Sequence, residues 1–177
     1  LDGVPGRFEI VSTSDDDVSV IVDFAHTDDA LRSVLAAVRK LCHGRVITVF
    51  GCGGNRDAAK RPLMGAVADR LSDLVVVTSD NPRHEEPDAI IAEIRLGIEA
   101  PADSLQPTHV GIADRGDAIG HAVDQAKPGD AVVIAGKGHE THQLIGEERR
   151  PFNDRLVALT ALDRRRARVR FSQPQAE

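Results

Sequence analysis

Tryptophan and tyrosine are absent from the 177-residue sequence, and only five phenylalanines are present. Because single-stranded nucleic acids bind largely by stacking their bases on aromatic rings, this shortage disfavours a single-strand-binding role. Long apolar runs are lacking too, since none approaches the roughly 20 residues that a membrane-spanning helix needs. The two cysteines, Cys42 and Cys52, are too few for a disulfide framework, so we expect a reduced, cytoplasmic setting.

The charge and the first residues restrict the interpretation further. With 22 Lys and Arg against 28 Asp and Glu, the net charge is −6, which disfavours general binding to polyanions. A hydrophobic content of 41% and a charged content of 28% are typical of a globular domain. The chain begins Leu1-Asp2-Gly3, without Met or a signal peptide, and we expect it to be a piece of a longer protein.

Apolar, β-branched segments alternate with amphipathic segments along the chain. Strands are predicted at residues 18–23, 45–50, 74–78, 108–112 and 131–135, and helices at 28–41, 62–71, 87–98, 114–126 and 154–165. Continuously apolar strands separated by helices indicate a parallel sheet that is buried on both faces. We therefore predict an α/β fold over residues 13–165: a three-layer Rossmann-like domain with a mostly parallel sheet, helices on both faces and a C-terminal hairpin at 143–152. Residues 166–177 are predicted to be a flexible tail, and the arginine cluster at residues 164–170 is predicted to be a solvated helix end.

Unusual polar residues follow four of the predicted strands. They occupy residues 23–26, 51–60, 79–86 and 136–140. In a parallel sheet, ligands bind beyond the carboxyl ends of the strands. We therefore expect these four loops to converge on one binding site.

The glycine-rich loop at residues 51–57 has two interpretations. Its backbone could cradle an anion, helped by the nearby Arg56, Lys60 and Arg61, or its glycines could serve only a tight strand-to-helix turn. It is a poor dinucleotide fingerprint, because Arg56 stands where the third glycine of G-x-G-x-x-G belongs. The P-loop pattern G-x-x-x-x-G-K-[ST] occurs nowhere in the sequence, so P-loop ATP hydrolysis is not expected of this chain alone.

The segment Asp80-Asn81-Pro82-Arg83 offers a carboxylate, an amide and a guanidinium within four residues. This set suits an amino acid, because Arg binds a carboxylate in a fork while Asp and Asn accept from an ammonium. Alternatively, Arg83 pairs with one of the glutamates at residues 85 and 86 in a polar turn. Glu140 and Arg56, on neighbouring loops, could supply a second acid and a second base.

Two histidine-containing segments also offer candidate sites. Asp23 and His26 could contact the ribose and base of a nucleotide, or Asp23 could cap the turn that follows its strand. His139 and His142 are three residues apart, whereas the zinc motif HExxH needs a spacing of four on one helical face. We therefore expect no metal site in this chain.

Taken together, these motifs resemble the C-terminal domain of the Mur ligases. The matching signatures are GRFE at residues 6–9, VDFAHT at 22–27, FGCGGNRD at 50–57 with KRP at 60–62, DNPR at 80–83, and AGKGHE at 135–140. They occur in the family's order and span roughly residues 3–162. The resemblance is strongest to the members that add meso-diaminopimelate.

The resemblance implies a reaction in peptidoglycan synthesis. ATP phosphorylates the carboxylate of a UDP-linked muramoyl dipeptide, and the amine of an amino acid then attacks the acyl phosphate. The family has an N-terminal UDP-substrate domain, a central P-loop domain that holds ATP and Mg²⁺, and a C-terminal domain that brings the amino acid. Residues 1–12 would then be the end of the central domain and the hinge. The chain alone would lack the catalytic residues.

The family's binding residues carry over by motif position. Arg7, Asp23 and His26 match positions that contact ATP. The positions of the meso-diaminopimelate pocket are matched by Arg56, Asp80, Asn81, Arg83, Gly136 and Glu140. The DNPR form of the motif accompanies meso-diaminopimelate rather than lysine, since lysine has no second carboxylate for Arg83 to bind.

The same sequence features fit three other functions. A related ligase, either lysine-adding or similar to folylpolyglutamate synthase, would share the fold and most of the motifs. A free-standing Rossmann-like module would bind a nucleotide or another anion, and a protein-interaction domain would bind no small molecule and expose an apolar patch.

Overall fold

A six-stranded sheet lies at the centre of the computed structural model, which describes residues 5–99 and 108–172. In chain order its strands are β1 (Glu9–Ile10), β2 (Ser19–Asp23), β3 (Val46–Phe50), β4 (Leu74–Val77), β5 (His109–Gly111) and β6 (Ala131–Ala135). Their spatial order is β1-β2-β6-β3-β4-β5, with parallel pairing throughout except between β1 and β2. The predicted mostly parallel sheet is confirmed.

Helices cover both faces of this sheet. They are α1 (Asp28–Leu41), α2 (Lys60–Leu71), α3 (Pro87–Arg95), α4 (Arg115–Gln125) and α5 (Asp154–Ser172). The first three pack on one face and the last two on the other, and each face has its own apolar core. In β6, Val133 faces the first core while Val132 and Ile134 face the second, as the two-residue period of a strand requires. The three-layer α/β prediction is therefore confirmed.

The helix starts follow from their capping residues. The Thr27 hydroxyl accepts a hydrogen bond from the backbone N–H of Ala30 (3.3 Å), and Asp114 caps α4 in the same way through Asp117 (2.9 Å). Pro87 begins α3, where its missing N–H costs nothing. Within the described ranges, no helix is both long enough and apolar enough to cross a bilayer.

The predicted hairpin is also present, as β7 (His142–Ile145) and β8 (Glu148–Pro151). Its two-residue turn begins with Gly146 at a φ of 56°, a conformation that glycine adopts without strain. Ile145 forms an isolated bridge with Arg83, so the hairpin packs against the loop that follows β4. This contact connects the hairpin to the carboxyl edge of the main sheet.

The structure adds a short strand near the start of the described chain and extends the last helix beyond its predicted end. Glu9 and Ile10, predicted to belong to the hinge, form β1 and pair with β2; a strand of two residues is too short to show a periodic pattern. Residues 166–172, predicted to be a flexible tail, continue α5. Residues 173–177 lie outside the described residues.

Ion pairs explain why α5 continues. Arg165 donates to both carboxylate oxygens of Asp17 (2.6 and 2.8 Å), and Arg166 donates to both of Asp16 (2.7 and 2.7 Å). Arg165 also caps the end of α4 through the carbonyl oxygens of residues 123 and 126. The prediction of a solvated arginine cluster is thus wrong for these two residues, because their acidic partners lie far away in the sequence.

Candidate amino-acid and nucleotide site

The four predicted loops converge on a cavity of about 390 Å³ at the carboxyl edge of the sheet. Its charged lining consists of three cations, Arg56, Lys60 and Arg83, and three carboxylates, Asp57, Asp80 and Glu140. The remaining lining residues are Phe24, His26, Gly53, Asn81 and Gly136. All six residues carried over for an amino acid therefore line one cavity, together with His26.

Two glycines of the glycine-rich loop are required by close packing against neighbouring backbone. A Cβ atom on Gly51 would overlap the carbonyl oxygen of Thr78, and one on Gly54 would overlap that of Pro82. The backbone N–H of Gly54 donates to the carbonyl oxygen of Asn81 at 2.9 Å. At Gly51 and Gly54 the turn interpretation is therefore the better one, because the loop must pass close to the segment after β4.

Arg61 does not contribute to an anion site as the sequence suggested. Its side chain is buried and forms ion pairs with Glu85 and Glu93, both at 2.9 Å. The hydrogen bond and charge of Arg61 hold the pKa of the Glu85 carboxyl below its usual range. Glu85 also accepts from the backbone N–H of Asn55. The alternative pairing of Arg83 with Glu85 is therefore not formed.

Backbone hydrogen bonds fix the position of Arg83, and its side chain lines the cavity. Its φ of 51° lies in the left-handed region that non-glycine residues seldom adopt. The hairpin fixes this conformation: the Arg83 N–H donates to the Leu144 carbonyl oxygen (3.0 Å), and the Gly146 N–H donates to the Arg83 carbonyl oxygen (2.6 Å). The guanidinium donates to the carbonyl oxygen of Gly54 (2.9 Å) and has no carboxylate partner in the described part of the chain.

Lys137, which the sequence analysis did not single out, lies beneath the cavity. Its side chain is fully buried, and Nζ lies 3.0 Å from Glu140 Oε2, 3.1 Å from Asn81 Oδ1 and 3.4 Å from Asp80 Oδ1. In the sequence, Lys137 is only the lysine between two glycines in the segment at residues 135–140. Its three-residue spacing to Glu140 was the one available signal.

Glu140 is held in its ionised form. Burial by itself would raise the pKa of this carboxyl, but the hydrogen bond and charge of Lys137 and the amide of Asn81 outweigh it. The net effect is a pKa below the usual value for glutamate. Glu140 therefore stays charged at neutral pH.

A second buried cation supports the cavity from the far side. Arg115 pairs with Asp154 through two hydrogen bonds of 2.8 Å, and both side chains are fully buried. It also donates to the carbonyl oxygens of Ser79 (3.2 Å) and Ala135 (2.9 Å), the residues just after β4 and at the end of β6. Arg115 thereby fixes the strand ends from which the site loops leave.

The nucleotide candidates gather beside the cavity around Phe24. The Arg7 guanidinium lies 5.8 Å from the Phe24 ring centroid, and the His26 ring contacts the same phenyl ring edge-on at 4.7 Å. Asp23 accepts hydrogen bonds from the backbone N–H groups of Phe8 and Ala25, both at 2.7 Å. The turn-capping alternative for Asp23 is therefore present in the structure, while Arg7 and His26 remain exposed.

Among the described residues, no group of three or more His, Cys, Asp or Glu side chains is arranged to hold a metal ion. His142 instead contacts the Arg149 side chain across the hairpin (3.1 Å).

Comparison with known proteins gives a consistent family. The family profile described as "Mur ligase, glutamate ligase domain" matches residues 6–138. UDP-N-acetylmuramoyl-L-alanyl-D-glutamate–2,6-diaminopimelate ligase of Gloeobacter violaceus is 55% identical over 166 residues, which cover 94% of this chain and 33% of that protein. The Clostridioides difficile protein of the same name is 51% identical over 92% of this chain and 32% of its own length.

Solved structures agree with this result. A structure of a diaminopimelate ligase of that name superimposes with a TM-score of 0.84 at 41% identity, covering 93% of this chain and 33% of that chain. A folylpolyglutamate synthase/dihydrofolate synthase of Yersinia pestis, at 20% identity and a TM-score of 0.57 over 92% of this chain and 32% of its own, shares the fold. The chain spans about a third of the length of the relatives that it matches. On the evidence of its sequence and its fold, the chain belongs to the Mur ligase family, as the domain that bears the family's glutamate-ligase signature.

Proposed function

We propose that this chain is the amino-acid-binding domain of an ATP-dependent ligase that adds meso-diaminopimelate to UDP-N-acetylmuramoyl-L-alanyl-D-glutamate in peptidoglycan synthesis. The observation that carries the proposal is the single cavity lined by three cations and three carboxylates. The names of the relatives that are about 50% identical to it support the same substrate. Two free cysteines suit the cytoplasm, where we propose that the ligase works.

The charges of the cavity match those of the proposed ligand. Meso-diaminopimelate carries an ammonium and a carboxylate at each end. Its site therefore needs cations for two carboxylates and acidic groups for two ammoniums. Arg83 would bind one carboxylate in its fork, and Arg56 would bind the other. Asp80 and Glu140 would accept hydrogen bonds from an ammonium.

The remaining two residues of the proposed site shape it. The Asn81 side-chain oxygen accepts from Lys137 and from the backbone N–H of Leu144 (2.9 Å), so we propose that Asn81 orients its neighbours. Gly136 has a φ of 118°, which a residue with a side chain would adopt only under strain. Its lack of a side chain leaves room for the ligand against the floor of the cavity.

The nucleotide would lie on the Phe24 side of the cavity. We propose that Arg7, Asp23 and His26 contact ATP there, since the exposed side chains of Arg7 and His26 lie against the Phe24 ring and Asp23 retains lone pairs beyond its two backbone contacts. ATP supplies the phosphoryl group that activates the dipeptide carboxylate. Because the sequence has no P-loop, the triphosphate and its Mg²⁺ would be held by a central domain outside this chain.

Discrimination against lysine follows from the unpaired guanidinium. Lysine has no second carboxylate, so its binding would leave Arg83 half-buried without a charged partner. Leaving a charged hydrogen-bonding group unsatisfied costs more than the lost contact alone. The site should therefore prefer the diamino diacid.

The test is Arg83→Ala in the complete ligase. Because a hydrogen bond to a charged group contributes about 1.5–3 kcal/mol, we expect the KM for meso-diaminopimelate to rise about tenfold to a hundredfold. The KM for ATP should stay unchanged, and the preference over lysine should shrink. Arg164→Ala, an exposed arginine on α5, is the matched control and should change none of these constants. An unchanged KM for meso-diaminopimelate in Arg83→Ala would contradict the assignment of the cavity.

A further inference from the structure

The Lys137 ammonium is surrounded by three acceptors that all belong to the protein. An ammonium has three N–H groups, and Nζ has three acceptors: Glu140, Asn81 and Asp80. The side chain is fully buried and does not line the cavity. Its charge therefore acts on the cavity only through residues that do line it.

The network around Lys137 is closed. The Asn81 amide donates to Glu140 Oε2 (3.1 Å), the atom that also accepts from Lys137, while the Asn81 oxygen accepts from Lys137. Lys137 and Glu140 follow β6, whereas Asp80 and Asn81 follow β4. One buried ammonium thus ties two loops together at the floor of the cavity.

The contacts leave one oxygen of each carboxylate available. Lys137 binds Oδ1 of Asp80 and Oε2 of Glu140, and within the described residues the second oxygen of each carboxylate has no hydrogen-bond donor. Both residues line the cavity. The arrangement presents two carboxylate oxygens to a ligand while the opposite oxygens are fixed from below.

Charge balance requires the lysine. The charged or titratable groups around Glu140 are Lys137, His142, Asp80, Arg115, Arg56 and Arg83. Of the cations, Arg115 is paired with Asp154, and the two other arginines face the cavity. Lys137 alone lies within ion-pair distance of both carboxylates among the described residues.

We propose that Lys137 is a positioning residue for the incoming amino acid: it holds Asp80 and Glu140 oriented so that their free oxygens accept from the ligand's ammonium. This inference rests on the proposed function, because it concerns the same cavity. Lys137 touches neither the ligand nor the reacting atoms, and its effect on the reaction passes through the two carboxylates.

The first test is Lys137→Met in the complete ligase, with Lys127→Met, an exposed lysine in the turn before β6, as the matched control. The proposal predicts a KM for meso-diaminopimelate raised at least tenfold, with the KM for ATP changed less than twofold. A purely structural lysine would instead lower the melting temperature or the active fraction and leave the KM for the amino acid unchanged, which would overturn the proposal.

A second variant covers the case in which Lys137→Met does not fold. The double variant Lys137→Met with Glu140→Gln removes the carboxylate at position 140 together with the ammonium that neutralises it. If Lys137 acts through Glu140, the KM for meso-diaminopimelate should be less than tenfold higher in the double variant than in Glu140→Gln alone. Where both single variants can be measured, the KM of the double variant should rise by less than the product of the two single effects. Additive effects, or a ratio of ten or more, would overturn the proposal. Arg83→Ala separates the two hypotheses: a raised KM there with normal KM values in the lysine variants refutes only the role of Lys137.

Discussion

Burial raises the pKa of two ionisable residues, one in the glycine-rich loop and one at the cavity, but only the second has a counter-charge that reverses the shift. The Cys52 thiol, in the glycine-rich loop, lies against the Met64 sulfur at 3.7 Å, and burial raises its pKa to about 12. Glu140 is also partly buried, yet Lys137 reverses the effect and lowers its pKa. The same loss of water thus keeps one group neutral and, where a counter-charge is supplied, leaves the other ionised.

Cys52 should therefore be chemically inert in the folded protein. Because the thiolate is the reactive species, iodoacetamide at pH 8 should leave Cys52 unmodified for hours, as measured by mass spectrometry of peptides. In 8 M urea, where its pKa returns to an ordinary value near 8.5, Cys52 should be alkylated within minutes. Equal alkylation of Cys52 in native and denaturing buffer would show that the thiol is not enclosed as described.

At the scale of elements, helix α5 packs through an apolar face only in its first turns, and ion pairs hold its later turns against the rest of the domain. Its first turns bury Ala158, Ala161 and Leu162, whereas its later turns rely on Arg165 and Arg166. The hydrogen bonds from these arginines are the main reason that the pKa values of Asp17 and Asp16 are lowered, and they outweigh the opposing effect of burial. Each carboxyl is thereby ionised to lower pH than in an unfolded chain.

Arg165→Ala should destabilise the protein by about 1.5–3 kcal/mol at pH 7, measured by urea unfolding, because it removes charge-assisted hydrogen bonds to Asp17. Arg164→Ala, one residue earlier and exposed, should cost less than about 0.5 kcal/mol. The folded-state pKa of Asp17 is depressed, so its stabilisation is complete above about pH 4 and is lost as the pH falls through the folded-state value.

The difference between wild type and Arg165→Ala should accordingly be constant from pH 7 to pH 5 and shrink below pH 4. A difference that stayed the same down to pH 2.5 would mean that the arginine contributes through packing alone.

At the scale of the whole molecule, three buried cations support the loops at the carboxyl edge of the sheet. Arg115, Lys137 and Arg61 are each almost fully buried, and each binds at least one acidic side chain from a distant part of the sequence. Buried charges are tolerated only when they are paired and hydrogen-bonded. The apolar cores stabilise the layers, and these three cations fix the loops that carry the cavity.

Much of this arrangement could be predicted from the sequence. Continuous apolar strands gave the parallel sheet, and four polar loops at the strand ends gave the location of the cavity, because both depend on local pattern and on one rule of sheet geometry. The partners of Arg61, Arg83 and Lys137 could not be predicted. Which acid meets which base depends on how loops distant in the sequence pack, and the end of α5 was missed for the same reason. β1 was missed because two residues are too few to show a periodic pattern.

The most direct test of the account is a crystal structure of the complete ligase with meso-diaminopimelate. We expect the ligand in the cavity after β3, β4 and β6, with one carboxylate on the Arg83 guanidinium and an ammonium on the free oxygens of Asp80 and Glu140. A ligand bound outside this cavity, or inside it with both carboxylates turned away from Arg83 and Arg56, would contradict the account.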